Sequence, residues 1–256
     1  MRVEKSIKNT TISVIFHIIG LIINFIVRNF FIKYLGSEYL GLNGLLTNIL
    51  QVLSLAELGV GEAINYSLYK PLAKEDKEKC KSLMLLYKKL YTSIGIFITI
   101  AGLLFMPFLH LLIKDMGNLE NVYLIYVLFV FNTSISYFYS YRWNLMVADQ
   151  KKYIVNIYRY MIYSLFKVFQ ILYLILRKDL VGYMVIQVCS TFVENFILSE
   201  ITKRKYIFLN NKEVKELDNR EKKDITTNIK AMMMHKIGNT LINSTDNILI
   251  SKMIGL

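Results

Sequence analysis

Six apolar stretches, each long enough to be a membrane-crossing helix, constrain this chain more than any other feature. They lie near residues 11–33, 41–66, 88–113, 121–147, 154–176 and 180–200, and a seventh starts near 231. A hydrocarbon core of roughly 30 Å takes about 20 mostly apolar residues in a helix. The pattern predicts an all-α fold: a polytopic membrane helix bundle with six complete transmembrane helices plus the start of a seventh. Hydrophobic residues make up 54% of the chain, above the ~45–50% of soluble domains. Mean hydropathy of +0.40 sits beside a net charge of +12, as expected where charges are confined to loops. A nucleic-acid binder would be basic too, but it needs no long apolar runs, so no nucleic-acid partner is expected. The N-terminal "MRVEKSIKNT" resembles the start of a secretion signal. The apolar run after it is too long for one and lacks a cleavage site, so it reads as a retained span.

Lys and Arg alternate between rich and poor connections along the whole chain. The N-terminus (Arg2, Lys5, Lys8) and segments 70–89, 151–159 and 203–223 are rich, while the intervening connections hold only Lys33, Lys114, Arg177 and Lys178. By the positive-inside rule the rich side is cytoplasmic. The expected location is the plasma membrane, with several crossings and the N-terminus inside. The outer connections "LGSEYLG", "KDMGNLEN" and "RKDL" are too short to house an enzyme domain. The inner loop 201–223 is either solvated or laid on anionic lipid at ~1 kcal/mol per basic residue.

Chemistry-bearing motifs are scarce. CxxC, HExxH, Walker A and GxSxG strings are absent, and Cys80, Cys189, His17, His110 and His235 are scattered. Neither a metal, a cofactor nor an enzymatic reaction is expected. Polar residues within the spans are more informative, because in lipid they turn toward a bundle interior or water. They recur at helical spacing: Asn156, Tyr160, Tyr163, Lys167 and Gln170; Tyr183, Gln187, Ser190 and Glu194; His235, Asn239, Asn243 and Asp246; His17, Gly20, Asn24 and Arg28; Asn132, Ser136 and Ser140. Interhelical hydrogen bonds worth ~0.6 kcal/mol each would explain any one stripe. Several together imply a shared polar interior. The third stretch offers little beyond Thr92, Ser93 and Thr99 and reads as a lipid-facing or packing helix.

Depth sorts the charges. Arg28 lies within snorkelling reach of the outer surface, and Arg142 and Glu194 of the inner one. Lys167 is too deep to reach either, at an insertion cost of ~2.5–3.5 kcal/mol, so it is expected to face a cavity, with Asp246 similarly deep. In "AELGVGEAINY", Glu57 lies roughly 18 Å of helix from Lys70 and Glu62 about 12 Å. Glu57 therefore needs a partner, a proton or water. Gly59 and Gly61 weaken the helix by ~1 kcal/mol each, which predicts a bend between the carboxylates. An ion-responsive hinge and a plain salt bridge to Arg28 or Lys167 both fit.

Residues Phe30–Asp76, "FFIKYLGSEYLGLNGLLTNILQVLSLAELGVGEAINYSLYKPLAKED", and Ser244–Leu256, "STDNILISKMIGL", resemble the Wzx-type oligosaccharide-lipid flippases. These form the polysaccharide transport branch of the MATE-like flippase superfamily. The resemblance implies two bundles of six helices around a cavity that opens alternately to each side. It implies a polyprenyl-pyrophosphate-linked oligosaccharide as substrate, turned across the membrane for capsular or surface polysaccharide synthesis without bond chemistry. Cavity cations receive the pyrophosphate in such proteins, and by position Arg28 and Lys167 are the substrate-binding candidates. Asn24, Glu57, Glu62, Asn156, Gln187, Glu194, Asn243 and Asp246 are the candidates for lining the cavity or coupling an ion. Against twelve or more family spans, this chain reads as the N-terminal half: a bundle over 1–200, a basic linker over 201–230, and a truncated first helix of a second bundle over 231–256. The missing half bundle and membrane lipids are the other expected partners. A scaffolding half-transporter, and less so a polymerase or glycosyltransferase of the same pathway, are the alternatives.

Overall fold

The computed structural model describes residues 2–57, 59–113, 120–210 and 216–234, and among them every regular element is helical. Eight α-helices run α1 Arg2–Leu35, α2 Ser37–Leu53, α3 Val60–Ala73, α4 Lys77–Phe105, α5 Leu109–Leu112, α6 Val122–Ala148, α7 Lys152–Arg177 and α8 Leu180–Lys205. A ninth, α9, covers 219–234. Asp76 caps α4 by accepting from the Lys79 amide at 2.9 Å. Asp179 caps α8 by accepting from Val181 and Gly182. Such caps satisfy amides that have no partner inside the helix.

Among the described residues five helices, rather than the expected six, are individually long and apolar enough to cross a bilayer: Asn9–Leu35, Lys77–Leu112, Val122–Ala148, Lys152–Arg177 and Leu180–Lys205. The expected second span is divided. α2 has 17 residues and α3 has 14, with a 3₁₀ turn over Ser54–Glu57 between them. Gly59 supplies the reason, since its φ of 80° lies in the left-handed region that costs other residues about 1–2 kcal/mol. The bend anticipated between Glu57 and Glu62 is thus a break, with Glu57 at its edge.

α6 is the central helix, packed on α2, α3, α4, α7 and α8, while α1 lies along α7. The apolar core falls into two clusters. One, with Phe31, Leu46, Ile125, Tyr126, Leu174 and Met184, lies at the end where α1 finishes. The other, with Ile64, Leu83, Tyr87, Leu145, Leu198 and Ile225, lies at the end carrying the lysine-rich connections. These are called the far end and the basic end below. α2 belongs to the first cluster and α3 to the second, so the broken pair runs the length of the bundle.

Burial on α7 is inverted relative to a soluble helix. Met161, Leu165, Val168, Leu172 and Leu176 are exposed, up to 79% at Leu176, while Gln170 is 1% exposed and Asn156 and Lys167 are buried. That is the pattern expected where the surroundings are as apolar as leucine. In segment 201–223, expected as a solvated or lipid-bound loop, Tyr206 and Leu217 are instead buried, as is Ile225 just beyond it. The Tyr206 hydroxyl donates to Asp149 at 2.6 Å, and burial beside that carboxylate holds its pKa far above the usual phenol value. α9 then reaches the break itself. A Cβ on Gly59 would fall 2.7 Å from the Met233 nitrogen.

Candidate functional site

Between the two apolar clusters lie open cavities walled by the polar stripes. One, about 570 Å³, belongs to the far half and is lined from α1, α2, α6, α7 and α8. Arg28 and Lys167 line it together, with Asn24, Asn43, Thr47, Asn48, Asn132 and Gln187. Lys167 is 9% exposed and lies about 22 Å along α7 from Lys152 and about 15 Å from Arg177. Its Nζ donates to Gln170 Oε1 at 2.8 Å and to Gln187 Oε1 at 3.0 Å. The Tyr163 and Tyr183 rings stand 5.1 and 5.8 Å from it. Gln170 is fixed in turn by donating to the Tyr183 carbonyl at 3.1 Å.

The Lys167 surroundings are thus amide oxygens and aromatic faces, which favour a cation without neutralising it. Among the described residues no carboxylate lines this chamber or pairs with Lys167. Full compensation of a buried charge would need a counterion. The chamber is therefore chemically fitted to receive an anion.

A second cavity, about 460 Å³, lies toward the basic end and carries the opposite charge. Glu57, Glu62 and Glu194 line it with one cation, Arg159. Glu57 Oε1 accepts a short hydrogen bond from the Tyr91 hydroxyl, and Oε2 accepts from Tyr137 at 3.1 Å. The Tyr87 hydroxyl donates to Tyr91 at 3.4 Å, extending the chain. Gly61 makes room for this group, because a Cβ there would fall 2.7 Å from the Tyr91 oxygen. Arg159 Nε donates to Glu194 Oε1 at 2.8 Å, and its guanidinium stacks 4.6 Å from the Trp143 ring. The buried Oδ1 of Asn65, which lines the same cavity, has no hydrogen-bond partner among the described residues.

A third cavity of about 250 Å³ joins the two sets of walls. It shares Asn24 with the far chamber and Arg159 and Glu194 with the other, adding His17, Gly20, Tyr160 and Tyr163. Tyr163 donates to Asn24 between α7 and α1. Thr191 donates to Asn132 at 2.7 Å, linking the chamber walls on α8 and α6. The polar interior is divided into adjoining compartments rather than being one shared space.

Of the expected site residues, Arg28, Lys167, Asn24 and Gln187 come together in the far chamber, and Glu57, Glu62 and Glu194 in the near one. Glu57 takes tyrosine hydroxyls as its partners, not Arg28 or Lys167. Asn156 lies apart, buried, with its amide donating to Ser13 Oγ at 2.8 Å as a staple between α7 and α1. Asn243 and Asp246 lie outside the described residues.

Several lining residues escaped the sequence reading. Arg159, counted there with a basic loop, sits two turns inside α7 and pairs with Glu194. Glu194, read there as near enough to the surface to snorkel, is held inward by that pair. Tyr87 and Tyr91 lie on α4, whose sequence reads as a lipid-facing or packing helix. Their spacing of four was the available signal. Asn43, Thr47 and Asn48 on α2 were a further unread stripe.

No family model, curated protein or solved structure matches the chain.

Proposed function

We propose that this chain is one lobe of a plasma-membrane flippase that turns a polyprenyl-pyrophosphate-linked oligosaccharide across the bilayer by alternating access. The basic end faces the cytoplasm on this reading, and the divided pair α2–α3 counts as a sixth, discontinuous crossing. One observation carries the proposal. Lys167 is buried mid-helix in a membrane-length segment, held by neutral acceptors, and shares an open chamber with Arg28. Two cations lining a chamber in which no carboxylate stands among the described residues suit a diphosphate headgroup, whose charge would supply the counterion. The chamber is open on the side of Asn24 and Arg28, both exposed, so a second bundle is needed to close it. Rocking of two such bundles about a midplane site is the general mechanism of alternating access.

The acidic compartment has a complementary role in this scheme. Glu57 sits at a helix break, gripped by two hydroxyls, next to Glu62 and the unpartnered Asn65 oxygen. A proton or small cation bound there would alter the α2–α3 junction and thereby the far chamber, which α2 also lines.

Complementation tests the proposal: export of lipid-linked repeat units in cells lacking their flippase, with the second lobe supplied. R28A and K167A are each expected to depress export, and the double variant to abolish it. Undiminished surface polysaccharide in the double variant would overturn the substrate site. Glycosyl transfer by the purified protein would replace the proposal with an enzymatic one.

A further inference from the structure

A fourth cavity, about 240 Å³, lies at the basic end away from both chambers, between α4, α6, α8 and the 3₁₀ segment Ile207–Asn210. Four cations line it: Lys81, Lys88, Arg142 and Lys203. Their positions follow from helix geometry, since Lys81 and Lys88 are two turns apart on one face of α4. Arg142 comes from the last turns of α6 and Lys203 from the last turn of α8. Met84, Leu85, Tyr141 and Leu209 complete the walls and give the cavity an apolar side.

Among the described residues the ion pairs there do not reach every cation. Lys81, 5% exposed, pairs with Glu78 at 2.6 Å, and Lys203 pairs with Glu200. Arg142 spends one donor on a neutral partner, Ser199 Oγ at 2.7 Å, and stacks over Tyr141. Among the described residues Lys88 forms no ion pair. Among the described residues the ion pairs at the recess set two carboxylates, Glu78 and Glu200, beside four cations, one of them almost wholly buried. The concentration of basic groups in a recess is more than the positive-inside rule needs, because charges that merely orient a span can stay in water.

Depth and rim identify the occupant. Lys81 lies about 6 Å and Lys88 about 16 Å along α4 from its first residue, the level at which a membrane-length helix meets lipid headgroups. In the same 3₁₀ segment as the lining residues Leu209 and Asn210, Ile207 is 73% exposed, a large apolar side chain along which an acyl chain could run. We infer that this recess is a binding site for the phosphate of an anionic membrane lipid, held by Lys88 and Arg142 with its chains directed past Ile207. The inference is independent of transport. It holds or fails whatever crosses the far chamber.

Native mass spectrometry of the full chain in nanodiscs provides the test, with phosphatidylglycerol and phosphatidylcholine as competing lipids. The wild type is expected to retain phosphatidylglycerol selectively. K88Q and R142Q should each weaken retention about fivefold, as for a basic residue at a charged interface, and the double variant by their product. K152Q removes an exposed charge at the same end and should change retention by less than twofold. K88Q alone, at an exposed lysine, keeps the test valid if R142Q fails to fold. Equal losses from K88Q and K152Q would overturn the site in favour of diffuse surface attraction. Inorganic phosphate added at matched ionic strength is expected to leave retention unchanged. Its displacement of phosphatidylglycerol from the wild type but not from the double variant would overturn the lipid assignment and give the recess to free phosphate.

Discussion

In the far chamber Lys167 and Arg28 meet amides and aromatic rings, whereas in the chamber nearer the basic end three carboxylates meet one arginine. They share three helices, α6, α7 and α8, and two residues on one α8 face, Gln187 and Glu194, serve opposite compartments. The difference lies in how charge is settled. Near the basic end Glu57 is satisfied by hydroxyls and Glu194 by Arg159, so the compartment is largely complete in itself. At Lys167 the acceptors are neutral, and the charge waits for a partner from outside. A completed network contributes stability, while an incomplete one is a cost that function has to justify.

The largest test of that contrast is K167M in an export-competent context. Export is expected to fall about a hundredfold, the loss of a charge-assisted contact to a buried anion. The melting temperature should hold or rise, because burying lysine opposes insertion by ~2.5–3.5 kcal/mol. A drop in stability would make Lys167 a structural residue like its acidic counterparts. In the near chamber the sign reverses. R159M leaves Glu194 without its cation and should cost roughly 2 kcal/mol by thermal denaturation in detergent. R159M/E194Q should recover at least half of that, since a lone buried charge costs more than an absent pair.

Y137F and Y91F remove donors from Glu57, and each should destabilise by about 1–2 kcal/mol. Replacing Gly59 by Ala should cost about 1 kcal/mol for the left-handed backbone alone, with more from the close approach of Met233, measured in the same melts. N156A, outside both chambers, should cost only about 0.6 kcal/mol and leave export intact.

Much of the architecture was legible in advance. Length and hydropathy located α1, α4, α6, α7 and α8, because a membrane imposes its thickness directly on sequence. The depth of Lys167 placed it inward, and Gly59 with Gly61 marked the weak point beside Glu57. What escaped shares a cause. Tyrosine is apolar by area and polar by its hydroxyl, so the sequence does not single out Tyr91 and Tyr137 although they hold a carboxylate. Arg159 lies near a loop in sequence, and only the start of α7 at Lys152 shows it to be interior. Asn156 follows the same spacing as Lys167, yet Ser13 on α1 happens to face it, and periodicity on one helix carries no information about the neighbour. The split of the polar interior into compartments depends on such pairings between helices.

Thiol accessibility in permeabilised membranes tests the opposed charges most directly. With Cys189 replaced by Ser and Cys80 left buried, cysteines would be introduced singly at Thr47, in the far chamber, at Asn144, in the near one, and at Leu172, on the exposed apolar face. Matched anionic and cationic methanethiosulfonates would then be compared. A wet cationic compartment predicts that Thr47→Cys reacts faster with the anionic reagent, Asn144→Cys with the cationic one, and Leu172→Cys with neither. The same reagent preference at both chamber positions, or a Leu172→Cys as reactive as they are, would contradict it.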